Sequence, residues 1–305
     1  MLFFASGFYN YLKSNNIGKY NMMTRIIYYL CFYILLLFTL SFSWPVSDGR
    51  ITSTFGESRG DHFHDGIDVV SVNNAVYPVK EGLLVFLWDK SFFPLENYPG
   101  AGNYKILKHT DGYYSIYMHL KDSPVWKEAY GKDDSLGEIG NTGHSSGKHL
   151  HFSLLQIESE KSANPFLLCP GIPDKKAPDI RNVYIRVDDK YFTIRDKDKI
   201  RLTKHYPLLF DISDSITGTE KTGIYKLNVT LNGKNVIDEI FSEIDLSKNG
   251  LTISGKYFSD LYDESGYYKA DVVYKEGNNN LYITATDYSG NITSRKISFA
   301  VNLDM

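Results

Sequence analysis

The 305-residue chain contains many short runs in which apolar and polar residues alternate, and turn residues end each run. Examples are Asn103–His109 and Tyr113–Leu120, with the hairpin signal Asp111-Gly112 between them. Alternation with a period of two places successive side chains on opposite faces of a strand, and few stretches repeat with the period of a helix. The 24 Tyr residues and the aromatic content of 15% also favour β structure. We therefore predict a mainly β protein.

A stretch rich in proline and glycine, from Asn164 to Pro178, is typical of a linker between two parts of ordinary domain size. Residues 48–172 read as strands and hairpins. Residues 178–305 predict an immunoglobulin-like β-sandwich that serves as an accessory domain, because short strands follow one another between polar turns. Its alternating runs are Val183–Val187, Tyr206–Ile212, Ile224–Leu231, Tyr268–Tyr274, Leu281–Asp287 and Ile292–Val301.

Residues 1–47 have the composition of an export segment. They contain no acidic residue, and Lys13, Lys19 and Arg25 precede an unbroken apolar run from Ile26 to Phe38. A basic start, a short apolar stretch and small residues beyond it are typical of a secretory signal peptide. The apolar stretch continues to roughly the ~20 residues that span a bilayer, so an uncleaved N-terminal membrane anchor is the alternative. Both interpretations place the body of the chain outside the cytoplasm.

Composition excludes several classes of function. The formal net charge of −3 gives no reason to expect nucleic acid as a partner. The sequence has only two cysteines, Cys31 in the apolar N-terminal run and Cys169 far away in the body. This count excludes a disulfide framework and a cysteine-based zinc site, and Cys169 reads as a small buried hydrophobe.

Histidine and aspartate in two short segments predict a metal site or a proton-transfer site. His149 and His151 are two apart, so both imidazoles would point to the same face of an extended strand. His64 and Asp68 are four apart, and Gly66 between them favours a turn into a strand. Imidazole and carboxylate are ordinary zinc ligands. Taken singly, each residue can instead be structural, Asp68 as a turn or capping residue and the histidines as satisfied core residues.

Together, these segments resemble the lysostaphin-type zinc metallopeptidases, which cut peptidoglycan peptides. The resemblance covers about residues 50–168 and includes His119, which ends a predicted strand. The matching segments are Ile51-Thr52-Ser53-Thr54-Phe55-Gly56, His64-Asp65-Gly66-Ile67-Asp68, Gly102-Asn103-Tyr104, His109-x-Asp111-Gly112, Tyr117-Met118-His119-Leu120 and Gly140-Asn141-Thr142-Gly143-x-Ser145-Ser146-Gly147-x-His149-Leu150-His151-Phe152.

The resemblance implies a role for each of five side chains. His64, Asp68 and His151 match the zinc ligands of the family, with one Zn2+ per chain, and His119 and His149 match its catalytic histidines. It also implies a compact antiparallel β domain with the site in a groove. Three protein ligands leave zinc an open position for water. One histidine would then move the proton of that water and the other would stabilise the oxyanion, and the sequence leaves this division open.

Three functional hypotheses follow. The first is an exported zinc metalloendopeptidase of the periplasm or cell envelope that hydrolyses peptide bonds in peptidoglycan stem peptides or cross-links. The second is a non-catalytic envelope protein that binds or activates other cell-wall hydrolases, a role taken by family members that have lost ligands. The third is a structural exported protein in which the β-sandwich binds the wall or a protein partner. All five site residues are present, which favours the first hypothesis.

Overall fold

The computed structural model describes residues 29, 42–216 and 218–304. Strands make up nearly all the regular structure of these residues. The predicted signal peptide or membrane anchor at residues 1–47 lies almost entirely outside the described residues. Within the described part of the chain, no helix is long and apolar enough to cross a membrane. Helical geometry occurs in a 3-10 turn at Pro165–Leu167 and in the short helix α1 (Phe258–Leu261).

The strands of the first part form one antiparallel sheet and a separate two-stranded ribbon. They are β1 (Arg50–Ser53), β2 (Ile67–Val70), β3 (Ala75–Val76), β4 (Gly82–Trp88), β5 (Asn103–Lys108), β6 (Tyr113–Leu120), β7 (Ala129–Tyr130), β8 (Gly137–Glu138), β9 (Leu150–Gln156) and β10 (Lys161–Ala163). The sheet runs in the order β10-β9-β6-β5-β4-β7, and β2 pairs with both β1 and β9. The ribbon consists of β3 and β8. Burial alternates along β5, as its sequence predicts.

The strands of the second part are β11 (Asp179–Val187), β12 (Lys190–Thr193), β13 (Lys199–Leu202), β14 (Leu208–Ser213), β15 (Lys226–Leu231), β16 (Lys234–Ile240), β17 (Glu243–Ser247), β18 (Gly250–Ile253), β19 (Lys256–Tyr257), β20 (Tyr268–Ala270), β21 (Gly277–Thr286) and β22 (Ile292–Leu303). A four-stranded sheet, β12-β11-β14-β20, and a five-stranded sheet, β13-β22-β21-β15-β16, share one apolar core. Asn232 and Gly233 both have positive φ in the β15–β16 hairpin, as a type I′ turn requires. The mainly β prediction is confirmed.

Three strands from the second part complete the sheet of the first, which the sequence did not predict. Strands β17, β18 and β19 extend that sheet beyond β10, and Ser162 of β10 pairs with Ile244 of β17. Phe55 and Phe63 of the first part are buried in the apolar core of the second. The two parts thus share a sheet and a core, and the domain limits of 48–172 and 178–305 remain a prediction.

Candidate metal centre

The three predicted metal ligands converge on one point. His64 Nε2 lies 3.0 Å from His151 Nδ1 and 3.2 Å from Asp68 Oδ1, and His151 Nδ1 lies 3.0 Å from Asp68 Oδ1. Tetrahedral zinc with bonds of about 2.0–2.1 Å would hold its ligand atoms about 3.3 Å apart. The triangle is therefore close to the size that a zinc ion requires, and all three side chains are buried.

The pairing of β2 with β9 brings two of these ligands together. Asp68 in β2 stands directly opposite His151 in β9, and opposed residues of an antiparallel pair share a face. Gly66 lies just before β2, where a Cβ would come within 2.5 Å of Phe152 O and 2.8 Å of His151 Nε2. Only glycine allows so close an approach, which explains the middle residue of the segment from His64 to Asp68.

Hydrogen bonds fix which nitrogen of each ligand histidine faces the site. His64 Nδ1 lies 2.8 Å from Thr54 O, so it donates to this carbonyl and leaves a lone pair on Nε2. In His151 the two nitrogens exchange roles. Its Nε2 lies 2.8 Å from Ser153 Oγ and 3.3 Å from Asp65 Oδ1, so Nε2 carries the proton and Nδ1 keeps a lone pair that faces the site. Partners of this kind orient the ring and set the tautomer that a metal needs.

The charges at the triangle suit a cation. Burial acts to raise the pKa of Asp68, but His64 and His151 outweigh it and hold that pKa far below its usual range. Burial acts to lower the pKa of His151, but Asp65 and Asp68 raise it to about 9. Both shifts show carboxylates that stabilise positive charge at this point. Arg59 Nη2 contacts the outer oxygen of Asp68 and leaves Oδ1 turned toward the histidines.

His119 and His149 lie together beside the triangle. Their ring centroids are 4.9 Å apart, and His149 Nε2 is 3.6 Å from Asp68 Oδ1. His119 donates its Nδ1–H to Thr142 O, and His149 donates its Nδ1–H to Gly147 O, each at 2.8 Å. Each neutral ring therefore keeps a lone pair on Nε2. Burial lowers the pKa of His119 to about 4, so this ring is neutral at pH 7.

The backbone at His119 is strained. Its φ is +61°, in the left-handed region that residues with a Cβ rarely adopt. The residue lies at an irregularity of the β5–β6 pairing, since Asn103 pairs with Leu120 whereas Lys105 pairs with Tyr117. Bulges of this kind redirect side chains next to active sites, and strained residues concentrate there.

Residues of the second part hold the segment that orients His64. We call residues 53–57 the support segment, since Thr54 O accepts the hydrogen bond from His64. Gly223 N donates to Thr54 Oγ1 at 2.9 Å and to Glu57 Oε1 at 2.7 Å. Tyr262 Oη donates to the Gly56 carbonyl at 2.9 Å, and Tyr288 Oη donates to the Phe55 carbonyl at 3.1 Å. The first ligand therefore depends on contacts with residues far along the chain.

Sequence reasoning missed the residues that orient the ligands, namely Arg59, Asp65 and Ser153. Two signals were available, since Asp65 adjoins His64 and Ser153 lies two residues after His151 on the same strand face. His149 precedes β9, which begins at Leu150, so the predicted strand starts one residue later than expected.

Two further histidines of the first part, His62 and His109, have other surroundings. The exposed His62 contacts Asp61, in keeping with its interpretation as a loop residue. His109 is buried between Glu81 O and Ser115 Oγ, at 2.8 Å from each.

Fold and site together define a mostly antiparallel β protein with a buried group of two histidines and one aspartate. Residues 62–165 match the model of Peptidase family M23, so the chain carries a domain of this family. A second family model matches residues 177–302.

Two curated relatives are similar to the M23 part. The chain is 32% identical over 121 residues to peptidoglycan DD-endopeptidase ShyA of Vibrio cholerae, covering 37% of this chain and 26% of that protein. It is 32% identical over 129 residues to murein hydrolase activator NlpD of Escherichia coli, covering 42% of this chain and 31% of that protein. The chain thus spans less than a third of the length of either relative.

Among solved structures, a zinc containing peptidase from Vibrio cholerae is 27% identical, with a TM-score of 0.34. The likeness covers 41% of this chain and 39% of that one.

Proposed function

We propose that this protein is an exported zinc metalloendopeptidase that hydrolyses peptide bonds in peptidoglycan stem peptides or cross-links. The observation that carries the proposal is the triangle of His64 Nε2, Asp68 Oδ1 and His151 Nδ1, with edges of 3.0–3.2 Å. The M23 domain and the similarity to an endopeptidase named for peptidoglycan support the substrate class.

His64, Asp68 and His151 would hold the metal, and their chemistry fits zinc, which binds imidazole nitrogen and carboxylate oxygen in such sites. When bound, zinc would polarise the scissile carbonyl and lower the pKa of water to about 7. Asp68 is one of the three proposed ligands, and Arg59 already binds its outer oxygen, Oδ2. Asp68 would therefore ligate through Oδ1 alone.

His149 is our candidate for the group that accepts the proton of the attacking water and passes it to the leaving amine. Its Nε2 carries a lone pair in the neutral ring and lies 3.6 Å from a ligand atom of Asp68. His119 would contact the carbonyl oxygen of the substrate. Because its Nδ1–H is bonded to Thr142 O, it can donate from Nε2 only as an imidazolium. Since the free ring is neutral at pH 7, this donor role would require that His119 take up a proton from solvent in the substrate complex.

The test is digestion of purified peptidoglycan by the chain, with mass spectrometry of the released muropeptides. We expect new amino termini, complete inhibition by a chelator and recovery on adding zinc. His149→Ala should retain the metal and lose turnover. Release that a chelator leaves unchanged would contradict the proposal, as would full turnover by His149→Ala.

A second candidate function is activation of other wall hydrolases without catalysis. The similarity to a murein hydrolase activator favours it, at the same 32% identity as to the endopeptidase. Full cellular function of the His149→Ala variant, combined with no muropeptide release by the wild-type chain, would decide for this function.

The cell envelope is the location that we propose, either in soluble form or held by residues 1–47. The absence of acidic residues there and the peptidoglycan-directed relatives support it. Cell fractionation of the full chain, with amino-terminal sequencing of the mature form, tests whether the segment is removed. Recovery of the intact chain from the cytoplasm would contradict this location.

A further inference from the structure

A second group of carboxylates lies apart from the M23 site, where the connecting segment meets the second part. Asp174 belongs to the connecting segment, Asp214 follows β14 and Asp287 follows β21. One oxygen of each lies within 4.8 Å of the others. That is the widest separation possible for two oxygens that each bind one cation at about 2.4 Å.

Asp214 has an unusual environment for a charged side chain. It is 3% exposed, and neither carboxylate oxygen makes a hydrogen bond of good geometry with any described residue. An ionised carboxylate that is buried with so few partners is unfavourable, because it has lost its hydration. Burial and the charges of Asp287 and Asp174 raise the pKa of Asp214 to about 6, against the effects of the Ser215 amide and Lys176.

Two further oxygens at this place also lack partners within the described part of the chain. They are Asp174 Oδ2 and Thr222 Oγ1, and Thr222 is 2% exposed. Thr222 exchanges both backbone hydrogen bonds with Asp214, at 2.8 and 2.9 Å, so the two side chains share one face of the pairing. Buried polar oxygens without protein partners are usually satisfied by a bound ion or water, and here several of them lie at one place.

The third carboxylate is held in position by its own turn. Asp287 Oδ1 accepts hydrogen bonds from the amides of Ser289 and Asn291, each at 2.8 Å. The side chain of Asn291 donates to Asp287 Oδ2 at 2.8 Å and to Asp174 O at 3.2 Å. The turn after β21 thus holds both carboxylate oxygens of Asp287 in place and also contacts the backbone of the connecting segment.

We propose that Asp174, Asp214 and Asp287 bind one calcium ion, with the Thr222 hydroxyl beside them. Calcium takes six to eight oxygen ligands in flexible geometry, and this group offers oxygen atoms and no nitrogen or sulfur. The ion would neutralise three buried or half-buried negative charges. It would also fasten the connecting segment to the ends of β14 and β21, and so fix the position at which the second part begins.

The test measures thermal unfolding and calcium binding with the full chain carrying His151→Ala, so that the M23 site cannot account for a metal response. We expect calcium at about a hundred times its dissociation constant to favour the folded state about a hundredfold, a rise of several degrees in Tm. Asp214→Asn should raise Tm in chelator, because it removes charge repulsion, and should abolish the calcium response. Asp271→Asn, which changes an exposed aspartate, is the matched control and should keep that response.

Isothermal titration with calcium alone should give one site per chain in the control and none in Asp214→Asn. The proposal is overturned if calcium leaves Tm unchanged, or if Asp214→Asn responds as the control does. An equal response to magnesium at the same concentration would overturn the choice of calcium. The opposite signs expected for Asp214→Asn with and without calcium separate a lost ligand from a simple folding defect.

Discussion

Phe63→Ala tests whether the second part supports the metal site. Phe63 is 1% exposed, and its ring makes edge contacts with Phe258 at 5.5 Å and with Tyr262 at 6.1 Å. Burial of such a side chain contributes about 1.5–3 kcal/mol, and each aromatic pair adds about 0.5–1.5 kcal/mol. The sum agrees with the loss of about 3–5 kcal/mol that is typical when a buried Phe becomes Ala.

A loss of that size corresponds to a drop in Tm of about 5–8 °C for a chain of 305 residues, because the entropy of unfolding grows with length. Because Phe63 adjoins His64, we also expect lower zinc occupancy in the folded variant. The assays are thermal unfolding of the full chain and metal analysis after dialysis against a zinc buffer.

Phe192→Ala is the matched control, because Phe192 is 53% exposed and should change stability by less than about 0.5 kcal/mol. The reasoning is wrong if Phe63→Ala lowers Tm no more than this control does. It is also wrong if the variant unfolds in two separate steps with only the later residues affected, because a shared core requires that both parts weaken together.

Three further predictions concern the site and the core. His64→Ala and His151→Ala should lose bound zinc whereas His149→Ala keeps it, and equal metal content in the three purified variants would contradict the assignment of ligands. Ser153→Ala removes the hydrogen-bond partner at 2.8 Å from His151 and should weaken zinc binding about tenfold in a competition titration, with the exposed Ser159→Ala as control. Burial raises the pKa of the Cys169 thiol to about 12. In a Cys31→Ser variant, this thiol should therefore resist a thiol reagent between pH 7 and 9 until denaturant is added. Rapid labelling of the folded chain would refute its burial.

Local patterns in the sequence predicted much of the fold. The alternation in Tyr113–Leu120 gave β6 with its observed limits, and the signal Asp111-Gly112 marks the hairpin that joins it to β5. The mainly β class follows from such patterns, because a strand with one buried face needs a period of two in its own residues.

The sequence pattern could not predict that strands β17–β19 join the sheet of the first part. It depends on the contact of Ser162 with Ile244, and nothing in either strand specifies a partner so far away in the chain. The side chains of the site were predictable in kind from a family resemblance. The carbonyl of Thr54 and the positive φ of His119 were not, because backbone contacts and strain leave little trace in residue identity.

Strands β17–β19 also bear on the order in which the protein can mature. The sheet that holds His151 gains its last strand only when Tyr257 has been synthesised, and Tyr288, which contacts the support segment, comes later still. A growing chain that has passed His151 would therefore contain every proposed ligand while the scaffold around them is unfinished. The proposed metal site would then take its final form late, after most of the polypeptide has left the ribosome.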